Sequence, residues 1–461
     1  MLRRLKFLSS PCSVEPLARP IGNRILRRLK FIVALVVILL PALLACAEQR
    51  FPPPDFESPY RLPSTTIPAA RQIWLQYADT GVLLAALATA IWLIYKKRSR
   101  SKLVWLSLFS LAYFGFYRKG CICPIGSPQN VVFGLFNPEY AVPVTVLIFC
   151  FAPIVVALFA GRAFCAGVCP QGALQDFVLI KPVKVPAWLE QALSVVPFIF
   201  LGAGLIYAGT GTGFVICRYD PFVPFFRRSG GSFILTVGAA FLLLGMFVGR
   251  PYCRFLCPYG GLLRLASLAS KWRVRVTPDI CTQCRLCEQS CPFGAMREPA
   301  SPANPARLGA ARRRLGWLLA LLPVLVVAGA WAGSKLSSAA AQLHPDVAAA
   351  ERYLRQQSAP VQYGLMTPEA LSLQRATDAP EAILKAAADL RHRFDLASWL
   401  FGGWIGLVIG LKLVSLSVPA SRTDYEPDRG ACFACARCFT ACPNERVRLG
   451  WMPAADKPAT P

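Results

Sequence analysis

Histidine is almost missing from this 461-residue chain, with only His344 and His392, and no Cys-x-x-Cys-His occurs, so a c-type haem is not supported. Neither histidine belongs to a metal-spaced cluster, and both read as ordinary polar residues. Acidic residues are scarce as well, 24 against 50 Lys and Arg. In a soluble protein a net charge of +26 would suggest nucleic acid. Here the basic residues sit mainly between apolar runs, where they set topology, so no nucleic-acid partner is expected. Charged residues make up only 16% of the chain and hydrophobic ones 55%, which argues against a soluble class and for a membrane protein in contact with lipid. A spaced disulfide framework is lacking too: most of the 18 cysteines fall in clusters too tight for one, and metal ligation is the stronger reading.

What the chain has in abundance is apolar runs, near 31–45, 79–95, 103–117, 141–160, 187–208, 232–248, 315–333 and 396–417. Most approach the roughly 20 residues a helix needs to cross about 30 Å of hydrocarbon. The expected fold is an all-α polytopic membrane protein of about seven to eight transmembrane helices carrying a split ferredoxin module. With a cytoplasmic start, the inner loops hold 34 basic residues and the outer loops 15. That bias puts 249–314 and 418–461 in the cytoplasm of a bacterial inner-membrane protein. Lys412, near the inner end of the last run, can snorkel to the interface.

The expected organisation is a basic leader with a signal or anchor helix over 1–45 and a periplasmic proline-rich segment over 46–78. A transmembrane core over 79–250 follows, then 251–314 with the first ferredoxin half, a hairpin over 315–417 and the second half with its tail over 418–461. The hairpin carries a periplasmic helical loop over 335–395, punctuated by Pro345, Pro360, Pro368 and Pro380. The run ending Leu43-Leu44-Ala45-Cys46 reads either as a lipoprotein cleavage box or as an uncleaved anchor.

The most specific signal is a repeated C-x2-C-x2-C-x3-C-P run: Cys281, Cys284, Cys287 and Cys291 with Pro292, and Cys432, Cys435, Cys438 and Cys442 with Pro443. In this spacing three thiolates serve one [4Fe–4S] cubane and the fourth serves the partner cluster. Two clusters are expected: one on Cys281, Cys284, Cys287 and Cys442, the other on Cys432, Cys435, Cys438 and Cys291. Zinc would call for C-x-x-C pairs a dozen or more residues apart. Because two spans separate the halves, both must face the same compartment.

A second repeat pairs Cys165-x3-Cys169-Pro170 with Cys253-x3-Cys257-Pro258, each preceded by Gly-Arg. Four thiolates could converge there, as an additional redox centre or a thiol–disulfide pair; spacing does not decide between them. Arg162 and Arg250 either tune that centre or anchor helix ends to headgroups. On the outer side, Cys121, Cys123 and Cys217 could build a further redox or metal centre, with a disulfide as the rival. Cys150 reads as buried packing, and Cys12 lies in the leader.

With its two Gly-Arg-x2-Cys-x3-Cys-Pro segments, 161–170 and 249–258, and both ferredoxin runs, the chain resembles the NapH/NosR-type membrane polyferredoxins over about 141–300 and 430–445. These are accessory electron-transfer proteins of periplasmic nitrate and nitrous-oxide reduction. The resemblance implies passage of electrons between the quinone pool or cytoplasmic side and a periplasmic redox protein, with the matched cysteines in redox centres. A quinol dehydrogenase subunit is one form such a component takes; a maturation factor supplying electrons or handling metal for a respiratory reductase is the alternative. The chain departs from the family in lacking the Ser/Thr flavin-attachment motif, so flavin would come only through a partner flavoprotein. It departs also in the hairpin between the ferredoxin halves and in the extra outer C-x-C-P.

Overall fold

The computed structural model describes residues 72–120, 124–228, 231–276, 281–300, 305–342, 380–417 and 422–452, with a few more between 344 and 354. The leader with Cys46, the proline-rich segment and most of the loop after 342 lie outside the described residues. Among those described the fold is helical apart from one small sheet.

Among the described residues four helices are long and apolar enough to cross a membrane: Ile73–Tyr95, Ala187–Gly209, Ala311–Lys335 and Ala387–Ser417. Val144–Ala160 and Ser232–Gly245 are shorter apolar helices. The expected span at 103–117 is the helix Arg100–Ser110 continued by a π-helical stretch, Leu111–Tyr117. Helices Ile73–Tyr95 and Val144–Ala160 run side by side in the same direction. Thr145 Oγ1 donates to Gln76 Oε1 at 3.3 Å near one end, and the Tyr95 hydroxyl donates to the Ala160 carbonyl at 3.0 Å at the other.

The last two long helices, Pro305–Lys335 and Pro380–Ser417, form a hairpin whose backbones touch. A Cβ on Gly329, Gly333, Gly402 or Gly406 would run into the facing backbone. Gly329-x3-Gly333 and Gly402-x3-Gly406 are thus a matched small-residue interface, the kind that lets membrane helices approach closely where lipid offers no hydrophobic drive. Only 6% of the apolar window in the first of these helices is buried in protein. Trp404 ties the hairpin to the rest, its indole N–H donating to the Phe198 carbonyl at 2.8 Å. The last helix starts at Pro380, so the end of the expected loop over 335–395 is a helical extension of the span rather than a separate cap.

Across this hairpin the two ferredoxin halves come together. Met296–Arg297 and Glu426–Pro427 pair antiparallel, with Met296 opposite Pro427, and Ala300 bridges Arg422. Phe293 and Phe433 pack with ring centroids 4.8 Å apart and their planes tilted by 52°. The module sits at the Tyr95 end of the helices, where Arg98 pairs with the buried Glu445 at 2.5 Å.

Candidate redox centres

Each ferredoxin half places its cysteines by the same local device. Gln283 and Arg285 follow Cys281 with positive φ (49° and 61°), and Ala434 and Ala436 follow Cys432 likewise (52° and 62°). This left-handed backbone curls the loop and turns amide groups inward, as Ala434 N–H does toward Cys432 Sγ at 3.4 Å. Two cavities result. One is lined by Cys281, Cys284, Cys287 and Cys442 with Val276 and Tyr425, the other by Cys291, Cys432, Cys435 and Cys438 with Phe293 and Phe433. Each therefore takes three cysteines from one half and one from the other. Among the described residues no three His, Cys, Asp or Glu side chains close on a single ion. Thiols spread around a cavity suit a cubane, which takes one thiolate per iron, better than a tetrahedral zinc. Burial, above all, pushes the Cys287 thiol up to about 11 and Cys432 up to about 12, so these groups need a compensating cation to act as thiolates.

The two C-x3-C-P segments form a second constellation directly beneath. Each is a short helix, Ala163–Gly167 or Pro251–Phe255, followed after Cys169 or Cys257 by another, Pro170–Val178 or Pro258–Leu268. Proline at the first helical position has its φ preset and needs no N–H there, which gives Cys-Pro a structural meaning. Cys257 Sγ accepts the Gly260 N–H at 3.3 Å, capping its own helix. All four cysteines are buried. They also lie close enough that the charges of Cys165, Cys169 and Cys253 act on Cys257, whose thiol is pushed well up, first by burial and then by these neighbours.

What locks the pair is an exchange of arginines. Arg250, from the second repeat, donates to the Cys165 carbonyl of the first, and its Nη1 stands 3.3 Å from where a Cβ on Gly172 would be. Arg162, from the first repeat, puts its Nη2 3.2 Å from the corresponding point on Gly260 of the second. Gly172 and Gly260 are thus matched positions whose missing side chains admit the partner's guanidinium. Both arginines are buried, Arg250 completely, so neither anchors to headgroups.

The same arginines join this layer to the ferredoxin module. The Arg162 guanidinium lies 4.0 Å from the Phe433 ring centre, and Arg250 lies 5.6 Å from both Phe293 and Phe433. Asp176 gathers Arg100, Arg250 (3.5 Å) and Arg437 (2.8 Å), and Arg437 stands between Cys435 and Cys438 in sequence. Although burial raises the Asp176 carboxyl, Arg250, Arg100 and Arg437 together hold it far below its ordinary range. The four-cysteine layer and the cavity of Cys291, Cys432, Cys435 and Cys438 are therefore separated by a few side chains.

The expected outer loop 209–231 is not a simple surface connection. Its short helices Val215–Tyr219 and Phe222–Arg227 fold into the core, with Phe222 fully buried. Asp220 accepts from Gln171 at 3.1 and 3.2 Å, from the Tyr252 hydroxyl at 2.8 Å and from the Phe222 N–H at 2.8 Å, touching the neighbours of Cys169 and Cys253. Burial raises this carboxyl, against the pull of those donors. Cys217 is exposed and lies beside Gly126, with Gln129 Nε2 2.9 Å from its sulfur. Cys121 and Cys123 lie outside the described residues. The segment after them reaches the layer beneath through a cavity lined by Gly120, Pro124, Ile125, Cys169, Pro170 and Gln171. Cys150 is buried packing.

Sequence reasoning missed Gln129, Gln175, Asp176, Asp220 and the phenylalanine pair, each of which meets a partner remote in sequence. The glycine spacing of the hairpin was open to reading.

Comparison with known proteins agrees with this chemistry. One family model described as a 4Fe-4S binding domain matches residues 142–185 and 230–277, covering both C-x3-C-P segments, and another of the same description matches 274–297. YccM of Escherichia coli is 27% identical over 187 residues, 37% of this chain and 52% of YccM. The regulatory protein NosR of Pseudomonas aeruginosa is 24% identical over 275 residues, 53% of this chain and 38% of NosR. The methylamine utilization ferredoxin-type protein MauN of Paracoccus denitrificans is 29% identical over 152 residues, 31% of this chain and 52% of MauN. These matches span about half or less of each relative's length. No solved structure matches the chain. Two cysteine-lined cavities, a buried four-cysteine layer, apolar helices and these likenesses support the resemblance of the chain to membrane ferredoxin-type proteins of the NapH/NosR type, with 4Fe-4S binding domains.

Proposed function

We propose that the chain is an electron conduit across the bacterial inner membrane, with its ferredoxin module in the cytoplasm and seven to eight crossings in all. One [4Fe–4S] cluster is held by Cys281, Cys284, Cys287 and Cys442, and the other by Cys432, Cys435, Cys438 and Cys291. A further redox centre belongs to Cys165, Cys169, Cys253 and Cys257, and an outer one to Cys121, Cys123 and Cys217. A periplasmic redox protein or flavoprotein is the partner on the outer side, and quinone is an exchange partner within the membrane.

The observation that carries this reading is the stacking of three cysteine sets. Phe293 and Phe433 line the cavity of Cys291, Cys432, Cys435 and Cys438, and the buried layer of four cysteines follows beyond them, within the reach of Arg162 and Arg250, whose guanidinium groups face these rings. Clusters, when bound, supply one-electron exchange. The residues of this chain fix the centres, compensate thiolate charge through buried arginines and exclude water through the aromatic packing around them. A purely structural metal would need no such series. NosR is named for regulation, and MauN for methylamine utilization and as ferredoxin-type.

Crossed ligation has a direct test. In anaerobically iron- and sulfide-loaded protein, Cys291→Ser is expected to abolish the same EPR signal as Cys432→Ser, and Cys442→Ser the same signal as Cys281→Ser. Grouping by sequence run instead would overturn the ligand sets, and a wholly EPR-silent reduced protein would overturn the conduit.

A further inference from the structure

Two glutamines far apart in sequence hold two cysteines in one and the same way. Gln175 donates from Nε2 to Cys253 Sγ at 3.2 Å, while its Oε1 accepts the N–H of the preceding residue, Tyr252, at 3.0 Å. Gln129 donates from Nε2 to Cys217 Sγ at 2.9 Å, while its Oε1 accepts the N–H of the preceding residue, Ile216, at 3.1 Å. Both glutamines are fully buried. Their elements differ: Gln129 lies on Ser127–Phe136 and Gln175 on Pro170–Val178, so the match is not inherited from the C-x3-C-P repeat.

A primary amide used this way has its two ends committed. The carbonyl end grips the backbone just ahead of the cysteine and fixes the side-chain plane, which turns the NH2 end toward sulfur; the Gln175 NH2 also donates to the Gln171 carbonyl of its own helix at 3.2 Å. A neutral thiol gains little from such a donor, whereas a thiolate gains a charge-assisted hydrogen bond. Cys253 is buried, so a sulfur that is to ligate there must find donors within the protein. Arg162 and Arg250 serve the layer as a whole; the glutamines serve one sulfur each.

We propose that Gln129 and Gln175 are matched positioning residues that hold Cys217 and Cys253 as thiolate ligands and set the potentials of the outer and the buried centre separately. The proposal rests on the reading of those two cysteines as ligands of redox centres. Hydrogen bonds to sulfur stabilise the more negative, reduced state of a centre, so removing one lowers its potential.

The test is a potentiometric EPR titration of the full chain, loaded anaerobically with iron and sulfide, as wild type, Gln175→Met and Gln129→Met. Gln175→Met is expected to lower the reduced-to-oxidised ratio of the buried-centre signal about tenfold at fixed potential, which is about 59 mV for a one-electron couple. The two ferredoxin signals should not move. Gln129→Met should shift only the outer-centre signal in the same sense. If either methionine variant loses its centre altogether, Gln→Glu at that position keeps the oxygen that accepts the backbone N–H and puts a negative oxygen at the sulfur; the downward shift should then be larger. Additional signals that stay unmoved in all variants would overturn the positioning role alone. A wild-type protein with only the two ferredoxin signals would overturn the reading beneath it as well.

Discussion

The ferredoxin module and the layer beneath it solve one problem in two ways. Both are built from two copies of a motif, and in both each copy completes the other. In the module the element exchanged is a cysteine, with Cys442 standing in the cavity of the first run and Cys291 in that of the second. In the layer the elements exchanged are Arg162 and Arg250, each entering the space left by a glycine of the opposite repeat. The module aims its sulfurs with local left-handed backbone, at Gln283, Arg285, Ala434 and Ala436, and leaves most of its cysteines partly exposed. The layer buries all four of its cysteines and relies on long side chains from elsewhere. Local geometry suffices where solvent is near; deep burial calls for charges brought from a distance.

Replacing the exchanged arginine is the strongest way to break this comparison. Arg250→Leu removes a fully buried cation from Asp176 and a donor from the Cys165 carbonyl. A loss of about 3–5 kcal/mol is expected. Thermal unfolding in detergent and the iron content of loaded protein would register it. Arg162→Leu should cost less, because Arg162 meets a ring face and carbonyl rather than a carboxylate. Equal losses would mean that the two repeats are energetic as well as geometric twins.

The matched glycines sharpen the same point. Gly172→Ala and Gly260→Ala each bring a methyl to about 3.1 Å from a cysteine carbonyl and to 3.3 or 3.2 Å from the incoming guanidinium. Each should destabilise by roughly 1–3 kcal/mol, and by similar amounts. Similar alanines at the exposed Gly309 and Gly316, which meet nothing within 4 Å, should be neutral or mildly stabilising on the same melt.

A smaller effect belongs to the module. Asp428 accepts from Gly430 and Ala431 N–H at 3.0 and 2.9 Å and pairs with Arg297 at 3.3 Å. Burial raises its carboxyl, but the Ala431 N–H and the nearby Arg297 and Arg264 outweigh this and hold it below the ordinary range. A carboxyl depressed on folding contributes stability above its unfolded value, near 3.9, and loses it as pH falls through the depressed folded value. Asp428→Asn should therefore cost about 1 kcal/mol at neutral pH. The gap between variant and wild-type melts should close as the medium is acidified below about pH 4.

Legibility in the sequence followed the same division. The ferredoxin cysteines could be read because their spacing is the geometry: a loop of that length can curl in few ways. The repeat of Gly-Arg-x2-Cys-x3-Cys-Pro was visible, and so were most of the apolar runs. The arginine exchange was not, since a Gly-Arg beside a helix end looks the same whether the side chain turns to lipid or to the other repeat. Nor was the infolding of 209–231, where Asp220 finds Gln171 and Tyr252 across 49 and 32 residues of sequence. Spacing reports contacts within a motif; it is silent on those between elements that only the packed helices bring together.

The hairpin of Gly329, Gly333, Gly402 and Gly406 has a consequence for biosynthesis. It lies between the two halves that share each cavity, so a nascent chain that has emerged only as far as residue 335 has neither pocket complete, whatever metal or sulfide is on hand. Helix pairing in the lipid must bring residues 432–442 back to the first half before either pocket can close. Completion of either pocket thereby waits on synthesis of the hairpin and of the second half, and not on cluster supply alone.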